Sequence, residues 1–396
     1  MDAASVVDMA RQARFADIEA LFAPALRAVV ADGTLRMVWS AENERIGRIT
    51  SVAEPESGRV EVVGERGSFA VIAAIGDDGL LHGLQVAPST RIAWQPPAYA
   101  DPARFTEYEV ADRAVHGAVT VPRGSGPWPA AVLLSGGGPF DRDETVGPNK
   151  PLKDLAWGLA TLGVASLRFD KPADAETMTD EYLPPGLAAA RMLQDLPVVD
   201  PRRVFVVGHS AGGRIAPRLA AADPSIAGVV IMAGDTVPLS RATVRVMRRL
   251  GAETAMIDLL ERQAAAVEDP DLTPGAPAAD LLFGLPAAYW LDRRSYDPVA
   301  TAAELGRPVL VLQGGRDYQV TVADDLPLWR AGLAHLPHAE IRIHDSCDHL
   351  FFPGDRPSGP ADHHEPHHVD VRVVDGIATW LTGAVSRFPP HPRPQP

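Results

Sequence analysis

One short run constrains this chain more than anything else in it. Gly208-His209-Ser210-Ala211-Gly212 stands directly behind the apolar stretch Val204–Val207 and opens a helical pattern that continues to Ala222. A serine at a sharp strand-to-helix turn needs minimal side chains two residues to either side, and Gly208 and Gly212 meet that need. The turn lifts the hydroxyl clear of a sheet, and the N-terminus of the next helix favours negative charge developing beside it. A purely structural turn is the competing reading, and the strand before with the helix behind disfavours it. Serine is a poor nucleophile without a base, so the pattern demands a downstream histidine and a carboxylate to orient it, in the chain order serine, acid, histidine.

The flanking pattern fits such a turn. Strand-like apolar runs recur at Ala130–Leu134, Val164–Leu167, Val204–Val207, Gly228–Met232, Val309–Leu312 and Glu340–Ile343. Between them lie helical patterns at Leu152–Leu162, Leu187–Leu196 and Gly212–Ala222, and Val369–Leu381 closes the series. Short apolar strands alternating with helices predict a mainly parallel sheet covered on both faces. A helical insertion, about 238–305, interrupts the alternation with Val244–Leu250, Ala255–Ala266 and Pro286–Leu291. Its place in the chain predicts a lid above the strand ends, with passive decoration as the alternative. Ahead of this region, the run Ile18–Val30 reads as a helix, and Arg59–Val63, Ser68–Ile75 and Leu80–Val86 read as antiparallel strands, which makes the segment α+β. The proline-rich stretch Trp94–Pro102 reads as a linker. The expected division is an N-terminal α+β domain over 1–95, a main domain over 96–385, and a disordered tail over 386–396.

Asp317 is the expected acid. It follows the strand Val309–Leu312 in Gln313-Gly314-Gly315-Arg316-Asp317, where glycines let the chain turn at the carboxyl end of the sheet. Asp235 also follows a strand, but no histidine comes soon after it. Of the twelve histidines, His349 is the expected base, because a loop after the last strand faces the serine in this architecture. His344 lies too close to that strand, and the side chain of His209, within the serine turn, is expected to point away from the reaction. An oxyanion hole needs two backbone donors. Ala211 N–H is one, and the loop Ser135-Gly136-Gly137-Gly138-Pro139 supplies the other, assigned to Gly137. A phosphate-cradling loop would want lysine and serine or threonine after its last glycine, where Pro139-Phe140 stands. The charged run Asp141-Arg142-Asp143-Glu144 is expected to form local ion pairs that fix the glycine loop.

Composition excludes other classes. The 396 residues carry a formal net charge of -14, and no basic run suggests a nucleic-acid partner. No uninterrupted apolar stretch reaches membrane-spanning length, and Met1–Ser5 lacks the start of a secretory signal, so a cytoplasmic protein is expected. Cys347 is the only cysteine, which excludes an internal disulfide and a multi-cysteine zinc site. The cluster His363-His364-Glu365-Pro366-His367-His368 invites a metal reading, but Pro366 argues for a loop, so neither metal nor cofactor is expected. The only lysines, Lys150, Lys153 and Lys171, fall in one segment close behind the glycine loop.

Taken together, several of these motifs resemble bacterial esterases of the α/β-hydrolase superfamily, related to serine aminopeptidase-like and dienelactone-hydrolase-like enzymes. The resemblance rests on Ser135–Glu144, Pro148-Asn149-Lys150-Pro151, Lys153–Ala156, Leu167–Lys171, Gly208–Gly213, Gln313–Val320 and Asp348–Phe351. In that family a GSGPxDRDE loop precedes a KPFKDLA helix. The resemblance covers most of residues 103–385 and implies an α/β-hydrolase fold with a helical lid. It also implies Ser210, Asp317 and His349 in the roles reached above. Residues 1–95 are similar to an N-terminal domain of cystatin/NTF2-like kind, with Trp39 in a fitting place. This chain departs from the family in carrying Gly137 where serine is usual, and Cys347-Asp348 before the histidine. A carboxylate beside the base is expected to raise its pKa or alter specificity.

These readings predict hydrolysis of a small acyl ester through a covalent acyl-enzyme, with homodimerisation left open. One rival is acyl transfer, cyclisation or thioester release on the same triad. The other is a non-catalytic binding protein.

Overall fold

Near-continuous runs of valine, leucine and alanine cannot alternate between core and water, so they form strands buried on both faces. The computed structural model describes residues 3–30, 33–53, 59–76, 78–89, 94–111, 115–172 and 175–387, which leaves nearly all of the expected tail outside. Four helices, α1 (Ala3–Arg11), α2 (Phe15–Ala20), α3 (Pro24–Val29) and α4 (Thr34–Ile46), precede four strands, β1 (Ile49–Val52), β2 (Arg59–Gly64), β3 (Ser68–Ile75) and β4 (Leu81–Pro88). These strands pair antiparallel in the order β1-β2-β3-β4. The helix expected over Ile18–Val30 is broken at Pro24, which begins α3 at a position where its missing N–H costs nothing. Trp39 packs edge-to-face on Phe69, with 5.4 Å between ring centroids, inside the apolar core of this segment.

The second sheet has eight strands. They are β5 (Phe105–Ala111), β6 (His116–Pro122), β7 (Trp128–Leu134), β8 (Ala165–Phe169), β9 (Val199–His209), β10 (Val229–Met232), β11 (Val309–Gly314) and β12 (Ala339–His344). Their spatial order is β12-β11-β10-β9-β7-β8-β6-β5. β6 runs opposite to the others, pairing antiparallel with both β5 and β8. The intervening helices are α5 (Pro151–Thr161), α6 (Met178–Gln194) and α7 (Ala211–Ala222). Beyond β10 come the insertion helices α8 (Leu239–Arg249), α9 (Thr254–Glu268), α10 (Ala287–Arg294) and α11 (Pro298–Glu304), and the chain closes with α12 (Leu326–Leu333) and α13 (Val371–Arg387). This is the α/β-hydrolase fold. One apolar core joins the sheet to α6, α7 and α12, and a second joins its other face to α5 and α13. Fully burying one large apolar side chain in these cores stabilises the fold by about 1.5–3 kcal/mol.

Register places the site. Leu134 pairs with Gly208, His209 with Met232, Met232 with Leu312, and Gly314 with His344. The carboxyl ends of β7, β9, β10, β11 and β12 therefore lie level, and the loops that follow them share one rim of the sheet. The insertion has its own apolar core, including Val244, Leu260, Leu282 and Trp290. It is moored to the sheet domain by Asp292, which accepts from Thr179 Oγ1 at 2.8 Å and from Arg218 Nη1 at 2.8 Å, and by Arg245, which donates to the Gln319 carbonyl at 2.6 Å. α3 also packs against residues 278–284 of the insertion.

Candidate active site

At the end of β9 the chain reverses into α7 through Ser210, held at φ 53° and ψ -117°. A non-glycine residue at positive φ is strained, and it persists only where its surroundings over-determine it. Here they do. Ser210 N–H donates to the Met232 carbonyl at 2.8 Å, and the flanking glycines are packed against backbone. A Cβ at Gly208 would stand 2.1 Å from the Gly212 oxygen, and one at Gly212 would stand 2.6 Å from the carbonyl oxygens of Leu134 and Ser135. Gly212→Ala should therefore cost about 3 kcal/mol of stability, seen as a lower urea midpoint at unchanged slope, because backbone rather than a flexible side chain opposes the methyl.

Asp317 lies in the loop after β11 with its side chain wholly buried. Its Oδ1 accepts from the backbone N–H groups of Gln319 at 2.8 Å and Val320 at 3.0 Å, which leaves Oδ2 for His349 Nδ1 at 2.7 Å. A carboxylate held by two backbone donors fixes both the orientation and the tautomer of the imidazole, presenting Nε2 as the free nitrogen. Asp348, the extra carboxylate beside the base, is hydrogen-bonded within its own loop. Its Oδ1 accepts from Leu350 N–H at 3.0 Å and Phe352 N–H at 2.9 Å. Burial pushes this carboxyl up, but the His363 imidazole and the Phe352 N–H outweigh that and hold it below the ordinary carboxylate range. Asp348 thus shapes the turn that presents His349.

His349 is tied to the serine turn from behind. Its carbonyl oxygen accepts from His209 Nε2 at 2.8 Å, and the two rings lie 4.8 Å apart. His209 Nδ1 faces Glu144 Oε1 at 2.8 Å, and the same oxygen accepts from Gly136 N–H at 2.8 Å. The Glu144–His209 pair, unassigned in the sequence reading, joins the glycine loop, the residue before Ser210 and the loop of His349. Ser210 Oγ itself makes no hydrogen bond among the described residues, and serine–base contacts commonly tighten only in the substrate complex.

The glycine loop packs on the turn. A Cβ at Gly136 would lie 3.4 Å from Ser210 Cβ, and one at Gly137 would lie 3.3 Å from Ala211 Cβ. Ala211 is the first residue of α7, so its N–H belongs to the helix donors that lack an intrahelical acceptor. The charged run Asp141–Glu144 pairs largely with residues distant in sequence rather than locally, Arg168 and Asp170 lying 25 and 28 residues from their partners. Asp143 binds Arg168 at 2.7 Å and Lys150 at 2.9 Å, and Arg142 binds Asp170 at 2.7 Å.

The competing candidates are occupied elsewhere. Asp235 is buried against the guanidinium groups of Arg293 and Arg214 and meets no histidine. His344 ends β12 and meets Phe351 edge-to-face, with 6.2 Å between ring centroids, and makes no pair with a carboxylate of the site. Among the described residues no group of three or more histidine, cysteine or acidic side chains is arranged to hold a metal ion. The histidine-rich segment leaves a short 3-10 helix, Pro360–His364, and continues as a loop stapled by Asn149, whose Nδ2 donates to the carbonyls of His363 at 2.9 Å and Glu365 at 3.0 Å. Burial pushes the Cys347 thiol up to about 12, so it stays protonated and unreactive. No described helix is long and apolar enough to cross a membrane.

No protein-family model matches the chain. Esterase EstD of Thermotoga maritima is 33% identical to it over 330 residues, spanning 80% of this chain and 77% of EstD. Among solved structures, an esterase of Pyrobaculum calidifontis aligns at 17% identity and a TM-score of 0.47, covering 72% of this chain and 87% of its own. Est1E from Butyrivibrio proteoclasticus aligns at 16% identity and a TM-score of 0.44, covering 71% and 99% respectively.

Proposed function

The chain belongs to the α/β-hydrolase esterase family of Esterase EstD, and on that premise we propose that it hydrolyses small carboxylic esters through an acyl-enzyme formed on Ser210. The observation that carries the assignment of residues is the buried Asp317–His349 hydrogen bond of 2.7 Å on the same sheet rim as the strained serine. His349 Nε2 takes the Ser210 proton as the hydroxyl oxygen attacks the ester carbonyl, and the Gly137 and Ala211 N–H groups receive the oxyanion. The imidazolium then protonates the departing alcohol. Water, deprotonated by the same imidazole, releases the acid and restores the serine.

Residues 238–305 serve in this reading as the lid, moored through Asp292 and Arg245. Residues 1–95 form a separate α+β domain that braces the lid through α3, and residues 96–385 form the catalytic domain. The acidic chain with its single cysteine suits a cytoplasmic enzyme whose partner is a small ester rather than nucleic acid. A fluorophosphonate probe should label the wild type once, on the peptide containing Ser210, and leave Ser210→Ala unlabelled. Equal labelling of both proteins would remove the serine mechanism.

A further inference from the structure

The glycine loop is held from a side that the triad does not use. The Gly136 carbonyl oxygen accepts from Lys171 Nζ at 2.7 Å and from the Tyr182 hydroxyl at 2.9 Å, and that hydroxyl also reaches the Ser135 carbonyl at 3.0 Å. Lys171 has a side chain only 5% exposed and is paired with Glu181 at 2.7 Å. Tyr182 is fully buried, which raises its hydroxyl pKa well above the ordinary value and keeps it a donor. The peptide unit between Gly136 and Gly137 is planar and trans, so its C=O and N–H point in opposite directions. Donors fixed on the oxygen therefore fix the direction of the Gly137 N–H, away from Lys171. That N–H has no protein acceptor among the described residues. A cation on the carbonyl also polarises the amide and strengthens its N–H as a donor.

We propose that Lys171 and Tyr182 are positioning residues that clamp and polarise the Gly136–Gly137 peptide, making Gly137 N–H the stronger donor of the oxyanion hole. The inference rests on the reading of Gly137 as that donor. It distinguishes the clamp from a simple buried ion pair, because a clamp acts on the tetrahedral state and a structural pair acts on folding.

The test uses the full-length enzyme, p-nitrophenyl butyrate as substrate, and an alkyl trifluoromethyl ketone, whose hemiketal with the serine places an oxyanion in the hole. Because loss of one oxyanion donor costs about 100- to 1,000-fold in kcat, loss of its clamp should cost less. Lys171→Met should lower kcat about 30-fold and Tyr182→Phe about 5-fold, with KM within about two-fold and ketone Ki rising in step with the loss of kcat. The charge-balanced Lys171→Met/Glu181→Gln double variant should show the same kcat loss while retaining the melting temperature, and Lys171→Arg should recover most of the rate. If Lys171→Met does not fold, Tyr182→Phe and the double variant still decide. Unchanged kcat and Ki in those two, or a change confined to KM, overturns the clamp. A wild type that the ketone fails to inhibit removes the serine mechanism, and the clamp with it.

Discussion

Ester turnover should fall by about six orders of magnitude in Ser210→Ala and in His349→Ala, and by about four in Asp317→Asn. The first two remove the nucleophile or the base that makes it nucleophilic, and groups that act as a unit do not lose activity additively. The double variant should therefore be hardly slower than either single one. Asp317→Asn has a different physical origin. The asparagine amide would present an N–H to His349 Nδ1 in place of a carboxylate, forcing the proton onto Nε2 and leaving no lone pair for the serine. Its effect should appear in kcat with KM nearly unchanged, because Asp317 lies behind the imidazole. Melting temperatures decide whether folding confounds the result. Alanine at position 210 inherits the strained φ of 53° and should leave stability within about 1 kcal/mol of the wild type. A Ser210→Ala enzyme that keeps even a hundredth of the wild-type kcat, in a preparation free of wild type, would be incompatible with an acyl-enzyme on this residue.

Much of this site can be read from the chain because its determinants are local. The glycines around Ser210 are required because a Cβ at Gly208 or Gly212 would stand only 2.1–2.6 Å from backbone oxygens, which leaves little choice of residue. The strands β7 to β11 are legible because their cores are buried on both faces, so each carries a near-unbroken apolar run, whereas the edge strand β12 is legible from Ile341 and Ile343 alternating with Glu340 and Arg342. β5 and β6 are not read. The exposure of Phe105–Ala111 hardly alternates, since this edge strand has almost no apolar face to show. α6 shows the opposite failure. Its sequence reads as helix only from Leu187, because Pro184-Pro185 signal a break, yet the helix begins at Met178 with Thr177 capping it through Asp180 N–H. The hidden first turns carry Glu181 and Tyr182, so the support of the glycine loop was lost with them. His209 was missed for a different reason. Its role comes from partners 65 and 140 residues away in sequence, and spacing carries no signal of such pairs.

Those distant partners lead to the second large effect. Glu144→Gln should destabilise the fold by about 3 kcal/mol at neutral pH, as breaking a buried charge pair from one side generally does. Both nitrogens of His209 face oxygen acceptors, the Glu144 carboxylate and the His349 carbonyl, so the geometry is satisfied when the ring carries both protons. Burial alone would push this imidazole down, but the Glu144 carboxylate and the two hydrogen bonds outweigh it, and the pKa is raised above its ordinary 6.5. The sign follows from linkage. A group whose folded pKa lies above its unfolded one binds its proton more tightly in the native state, so its contribution is complete below the unfolded value and is lost as pH rises through the folded one. The stability difference between wild type and Glu144→Gln should therefore be largest below the ordinary imidazole value of about 6.5 and shrink as pH rises above it, in urea titrations at each pH. Glutamine can still accept from Gly136 N–H and from His209 Nδ1, and its amide nitrogen takes the place of the buried, unpartnered Oε2, so the loss combines removal of the charge with burial of an unpaired donor. Catalysis should follow stability only in part. The carbonyl of His349 would lose a charged donor and the loop of Gly136 a charged anchor, lowering kcat by about ten-fold with little change in KM. A stability difference that grows as pH rises would mean that His209 is buried neutral, and that the link between the glycine loop and the base is not ionic.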